Sequence, residues 1–210
     1  MRKGSCMRVE HLCYGTLMSN VWVMTSGKEA FLIDAGAELS EVKSALSARG
    51  LTLRGVLLTH GHFDHAMHAR KIADEYGVPL YIHKDDAEML PNGEKNAYLM
   101  CYGRDKDLGY ADKLLFDGVE LTLGEDKIKV LHTPGHSKGS VCFLSGNCLV
   151  TGDTLFATSV GRWDLYGGSV SELRSSLAAL TLLSEDITIY PGHGGKVRLG
   201  DALEIALNLI

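Results

Sequence analysis

Residues 59–65 run Thr-His-Gly-His-Phe-Asp-His and bring three imidazoles and one carboxylate, His60, His62, Asp64 and His65, into six residues. Imidazole and carboxylate are donors that divalent zinc, iron and manganese accept. One ion cannot readily take all four from so short a piece of backbone. The segment therefore points to two adjacent ions, each holding part of it. A lone histidine is usually structural or merely exposed. Four donors packed around a glycine have little purpose as packing, so metal binding is the reading they support.

Three later turns have the same character: Thr133-Pro134-Gly135-His136-Ser137, Thr151-Gly152-Asp153-Thr154 and Pro191-Gly192-His193-Gly194. Each follows an apolar run and sets one imidazole or carboxylate beside glycine, whose missing side chain permits a sharp turn and leaves room for an ion. Taken singly they are weak, because a Gly-Asp pair after a strand is commonly just a turn. Their shared placement adds weight. His136, Asp153 and His193 bring the set to five imidazoles and two carboxylates, enough for two ions if one carboxylate bridges.

Hydrophobic period predicts the elements that position these donors. Strands are expected over 9–14, 21–24 and 30–33, the last two separated by Ser26-Gly27. Leu39, Val42, Ala45 and Leu46 mark a helix face that stops at Gly50. The apolar run 55–58 predicts a buried strand. Ala66, Ala69, Ile72, Ala73 and Tyr76 predict one helix ending at Gly77. The His-rich segment thus lies at the carboxyl end of a buried strand, where open α/β sheets carry their sites. A short strand is expected over 80–82. Residues 84–112 are polar and mixed, which predicts a surface helix and a long loop that could serve as a lid. Further strands are expected over 128–131, 141–144, 148–150 and 187–190. Helix faces follow from Val170, Leu173, Leu177 and Leu180, and from Ala202, Leu203, Ile205, Ala206 and Leu209. Strands and helices in both halves point to an α/β sandwich, two sheets covered by outer helices, in a single domain spanning 1–210.

Bulk composition narrows the function. The formal net charge is −5 and the basic residues are scattered, so no nucleic-acid surface is indicated. No apolar run is long enough to span a membrane, and the basic start lacks the apolar stretch of a secretory signal. The five cysteines, Cys6, Cys13, Cys101, Cys142 and Cys148, are odd in number and form no Cys-x-x-Cys pair. Free thiols in a reducing, cytoplasmic setting are expected.

On these residues the chain resembles the metallo-β-lactamase superfamily, αββα hydrolases with a His-x-His-x-Asp-His signature, and within it the glyoxalase II-like branch. Further support comes from Phe31-Leu32-Ile33-Asp34-Ala35-Gly36, from Thr151-Gly152-Asp153-Thr154-Leu155-Phe156, and from Gly161-Arg162-Trp163-Asp164-Leu165 with Gly167-Gly168. The resemblance implies a four-layer αββα sandwich. It also implies a division of donors: His60, His62 and His136 for one ion, Asp64, His65 and His193 for the other, and Asp153 bridging. Two divalent ions are implied, zinc first, with iron or manganese as substitutes. An aspartate at position 153 speaks against antibiotic hydrolysis, since several true β-lactamases carry cysteine at the matching place. The resemblance is to a short form of the branch, in which the helical domain that holds glutathione in full-length glyoxalase II is not expected.

The implied activity is hydrolysis of a thioester, such as S-lactoylglutathione or a related acyl-thiol. Two adjacent ions lower the pKa of a water between them, so that a bridging hydroxide is available near neutral pH. Asp64 is the expected catalytic residue, orienting that nucleophile. A thiolate departs with little acid assistance, which suits a site with no obvious general acid. The expected partner is a small molecule, with a glutathione conjugate as one candidate. Persulfide dioxygenases share this fold with a single iron and form the alternative, as does a lactonase. Asp34, Thr59 and Thr154 are candidates to orient ligands. Arg162 either meets an anionic substrate or pairs with Asp164. His11, His68, His83 and His132 fall outside the pattern.

Overall fold

The computed structural model describes residues 7–210, so Cys6 lies outside the described residues. Each half of the chain builds one six-stranded sheet. The first contains β1 (Arg8–Tyr14), β2 (Asn20–Ser26), β3 (Glu29–Ile33), β4 (Thr52–Leu57), β5 (Leu80–His83) and β6 (Lys113–Leu115), in spatial order 1 to 6. The first two pairings are antiparallel and the next three parallel. The parallel crossovers carry α1 (Leu39–Ala48), then α2 (Phe63–Ala66) and α3 (Ala69–Tyr76), then α4 (Tyr98–Tyr102).

The second sheet contains β7 (Glu120–Leu123), β8 (Asp126–His132), β9 (Val141–Ser145), β10 (Cys148–Gly152), β11 (Thr188–Pro191) and β12 (Val197–Arg198). Its spatial order is again sequential, and only β10 and β11 are parallel. The crossover between them holds α5 (Val170–Leu180). The final helix, α6 (Leu199–Ala206), follows β12.

Alternation along the strands separates three apolar layers. On β2, Val21 and Val23 face the outer helices, packing with Val42 and Leu46 of α1 and Ile72 of α3, while Trp22 and Met24 face the other sheet. On β9 and β10, Phe143 and Val150 face inward, and Cys142 and Leu149 meet Leu177 of α5 and Leu203 of α6. Helix, sheet, sheet, helix is the four-layer sandwich expected from the sequence.

Two expectations need correction. The helix expected from Ala66 to Tyr76 is broken at Met67 and His68. Ala35 N–H takes the carbonyl of His65, and the carbonyl of Ala35 takes the amide of His68, so the helical ladder is interrupted beside the donor segment. Residues 84–112 hold only a 3-10 turn (Ala87–Met89) and the five-residue α4, with the rest irregular. The short strands β6, β7 and β12 were not foreseen, because two to four residues carry too little period to recognise.

Candidate metal centre

All seven predicted donors meet at one rim of the sandwich. His60, His62, Asp64 and His65 follow β4, His136 follows β8, Asp153 follows β10 and His193 follows β11. Strand ends from both sheets therefore converge on one point, and no single element could supply the set. Three groupings of donor atoms lie within 4.8 Å of one another: His60, His62 and His136; His60, His65 and Asp153; and Asp64, His65 and His193.

Asp153 stands between these groups. Its Oδ1 is 3.4 Å from His65 Nε2, and its Oδ2 is 3.7 Å from both His136 Nε2 and His193 Nε2. Asp64 Oδ2 is 3.5 Å from His65 Nε2 and 3.3 Å from His193 Nε2. Close approach at this point requires glycine. A Cβ on Gly192 would enter the Asp153 carboxylate and the His65 ring, and one on Gly161 would enter the Asp153 carbonyl.

Hydrogen bonds set the inward face of each ring. Asp34 accepts from His65 Nδ1 at 2.8 Å, leaving Nε2 toward the centre. The same carboxylate accepts from the amide and the hydroxyl of Thr59, at 2.8 and 2.9 Å. Thr59 Oγ1 in turn lies 3.0 Å from His60 Nδ1 and can accept its proton. His136 Nδ1 donates to the carbonyl of Arg162 at 2.7 Å. Partners of this kind fix tautomer and orientation in imidazoles that bind metals. His62 differs, bringing Nδ1 to 2.8 Å from His136 Nε2.

Three buried atoms of the cluster, His60 Nε2, His62 Nε2 and Asp153 Oδ1, have no hydrogen-bond partner. Leaving such an atom unsatisfied costs roughly 1–3 kcal/mol. Lone pairs gathered in a buried space fit divalent cations, as does the donor set of imidazole and carboxylate. The electrostatics agree. Burial, then the neighbouring imidazoles, push His60 and His62 well below the ordinary histidine range, so they stay neutral and able to donate. Burial disfavours ionised Asp64, yet His65 and His193 outweigh it and hold its carboxyl well below the usual carboxylate range. Burial likewise opposes a charged His65, but Asp153, Asp64 and Asp34 raise it to about 10. The carboxylates thus draw positive charge into the cluster.

Two residues missed by sequence reasoning hold the donor loops together. Asp86, fully buried, accepts from Gly61 N–H at 2.9 Å, Ser137 Oγ at 2.6 Å and Gly139 N–H at 2.6 Å. It ties the His-rich segment to the His136 loop. Its signal was present, a carboxylate just after a strand, but it lay in a stretch read as surface insertion. Asn20 donates to the carbonyls of Pro191 and Gly194, both at 2.9 Å, and Trp22 Nε1 donates to Pro191 at 2.8 Å. These bonds run from β2 in the first sheet to the His193 loop in the second. Nothing in the local sequence reveals them.

The remaining candidates sort plainly. Asp34 and Thr59 contact donor imidazoles. Thr154 does not; its hydroxyl meets Thr133 Oγ1 at 2.9 Å. Arg162 pairs with Asp164 through two bonds of 2.7 and 2.9 Å. His83 and His132 stack at 4.1 Å with planes 14° apart, near Asp85. His83, Asp85 and His132 bring one donor atom each within 4.8 Å of one another, a smaller group apart from the seven donors.

Above the donors lies a cleft of about 350 Å3, bordered by Leu17, Phe63, Met100, Phe156 and Leu165. Residue 97 and α4 belong to the 84–112 segment, which forms one wall of the cleft. Phe63 packs edge-on to Tyr98 and Tyr102, at 5.5 and 5.6 Å.

Comparison with known proteins identifies the family of the fold. A probable metallo-hydrolase of Bacillus subtilis is 30% identical, over 90% of each chain. A hydroxyacylglutathione hydrolase of Dechloromonas aromatica is 29% identical over 82% of this chain and 57% of its own length. Among solved structures, a B3 metallo-β-lactamase superposes with TM-score 0.87 and 32% identity, covering 94% of this chain and 97% of the other. A protein solved in a di-iron-bound form gives 0.84 and 30%, covering 95% and 100%. The model of the metallo-β-lactamase superfamily matches residues 14–193, from the end of β1 to the last donor histidine, and the chain belongs to that superfamily.

Proposed function

We propose that this metallo-hydrolase cleaves thioesters, S-lactoylglutathione or a related acyl-thiol, with two divalent ions. His60, His62 and His136 would hold one ion, and Asp64, His65 and His193 the other, with Asp153 shared. The observation that carries the reading is Asp153, whose two oxygens face imidazoles of different groups while Oδ1 has no hydrogen-bond partner. Zinc suits the donors, and iron or manganese would be accepted by the same atoms.

Ions bound there would supply a water of lowered pKa and a Lewis acid for the substrate carbonyl. The chain does the rest. Asp64, ionised across the neutral range, accepts a hydrogen bond from the attacking water at Oδ2 and aims its lone pair at the carbonyl carbon. Asp34 and Thr59 hold the His65 and His60 rings in place. Apart from the donors, the only ionisable groups bordering the cleft among the described residues are Cys101 and Arg162, and the guanidinium is engaged by Asp164. An amine leaving group would need a proton donor that these residues do not offer, whereas a thiolate needs none. The hydroxyacylglutathione hydrolase relative supports the same substrate class.

The test is metal content of the purified protein, followed by turnover of acyl-glutathione thioesters beside a β-lactam and beside oxygen uptake with glutathione persulfide. Two ions per chain and thioester turnover are expected. A single iron with persulfide-dependent oxygen consumption would overturn the proposal, as would turnover of the β-lactam alone.

A further inference from the structure

The wall of the cleft has a chemistry that neither folding nor the donors require. Leu17 and Met100 border it and are 58% and 57% exposed. Leu17 and Ala97, both on this wall, adopt left-handed backbone with φ of 53° and 67°. That conformation costs a residue other than glycine roughly 1–2 kcal/mol. Strain of this kind persists where it shapes a site. Both residues lie in connections, one between β1 and β2 and one before α4. Their geometry turns apolar groups toward the space above Asp64 and Asp153. Phe156 and Leu165 also border the cleft, with Phe156 edge-on to His193 at 6.0 Å.

Charge is sparse on this wall. Among the described residues that border the cleft, Arg162 is the only permanent cation, and Asp164 already pairs with it. A carrier with several carboxylates finds no partners there. Uncharged hydrocarbon finds a continuous apolar surface that leads to the donor atoms.

We infer that this wall selects an uncharged, apolar acyl group. Specificity then resides on the acyl side of the scissile bond, and the thiol carrier extends past Arg162 into solvent. The inference rests on the hydrolase reading above and specifies its substrate.

Binding measurements separate it from turnover. Straight-chain alkyl hydroxamates, which combine a metal-chelating head with a variable tail, are titrated calorimetrically into the metal-loaded protein. Burial of each added methylene should tighten binding about fourfold over the first few additions. The tail of equal length ending in a carboxylate should bind at least tenfold more weakly. Leu17→Ser and Met100→Ser should flatten the series while metal content stays the same. A metal-independent arm uses hexanamide with the metal-free protein, where the Met100 methyl resonance should shift on titration and adipate should leave it unmoved. A series flat in chain length, or equal binding of the charged tail, would overturn the inference, as would a Met100 methyl indifferent to hexanamide. An intact chain-length series in a protein that turns over no thioester would uphold the acyl pocket and sink the thioester reading.

Discussion

The Asp153 carboxylate can serve two groups of imidazoles only because both of its oxygens are available. Asp153→Asn keeps the shape but replaces one oxygen by an amide nitrogen that cannot ligate. The variant should bind about one ion where the parent binds two, and lose roughly 100-fold or more in kcat/KM, the upper end of what disturbing a metal site costs. Metal analysis beside steady-state kinetics decides, and unchanged stoichiometry would refute a shared ligand. A second prediction concerns His83. Burial, then His132, depresses its pKa from 6.5 to about 4. Between those values the unfolded chain binds a proton that the folded chain refuses, so stability falls as pH drops from about 6.5 toward 4. His83→Asn removes that titration. Its melting temperature should fall less than the parent's between pH 7 and pH 5, and equal losses would exclude this origin.

Loops at strand ends, with the one-turn helix α2 that carries Asp64 and His65, hold the donors, so the bonds between these segments set the precision of the site. Asp86 joins two of them through three bonds. Asp86→Asn offers one oxygen where three donors converge. Metal affinity should drop about 10- to 100-fold, with a stability loss of about 1.5–3 kcal/mol. Isothermal titration with zinc and chemical denaturation measure the two effects separately, and a variant equal to the parent in both would show the clamp to be idle. At this scale the sequence was unevenly legible. The strands before His60, Asp153 and His193 announced themselves, because short apolar runs ending in glycine turns leave a mark in one stretch of chain. Asp86 showed only as a carboxylate after a strand, in a stretch read as surface insertion, and Asn20 left nothing, since its partners are distant in sequence and its bonds are to backbone atoms that every residue possesses. The break between α2 and α3 was hidden for the same reason, its cause being the Ala35 backbone rather than any helix-breaking residue.

Three apolar layers stabilise the molecule, and only their rim touches the donors. The fold should therefore survive removal of metal, at a lower melting temperature. With free ion at 100 times its Kd, binding adds about 2.7 kcal/mol. Chelation should lower the transition seen by calorimetry without abolishing it; loss of all cooperative unfolding would show that the layers cannot stand alone. Phe143, fully buried between the sheets, tests the layer itself. Phe143→Ala should cost about 3–5 kcal/mol, with metal stoichiometry unchanged, as denaturant unfolding and metal analysis would register. The four layers were legible because each half of the chain alternates strands with helices. The order of strands within each sheet was not, because register depends on pairing between segments far apart in sequence.

The sheets are built from consecutive halves of the chain, and the donors are divided between them. His60, His62, Asp64 and His65 belong to the first half, and His136, Asp153 and His193 to the second. The halves meet at an exposed turn, Asp117-Gly118, between β6 and β7. An ion bound at the rim is then a dowel across a seam. Two fragments made by cutting at that turn would reassemble more tightly with zinc than without it, and the strength of their union would report metal occupancy with no substrate present.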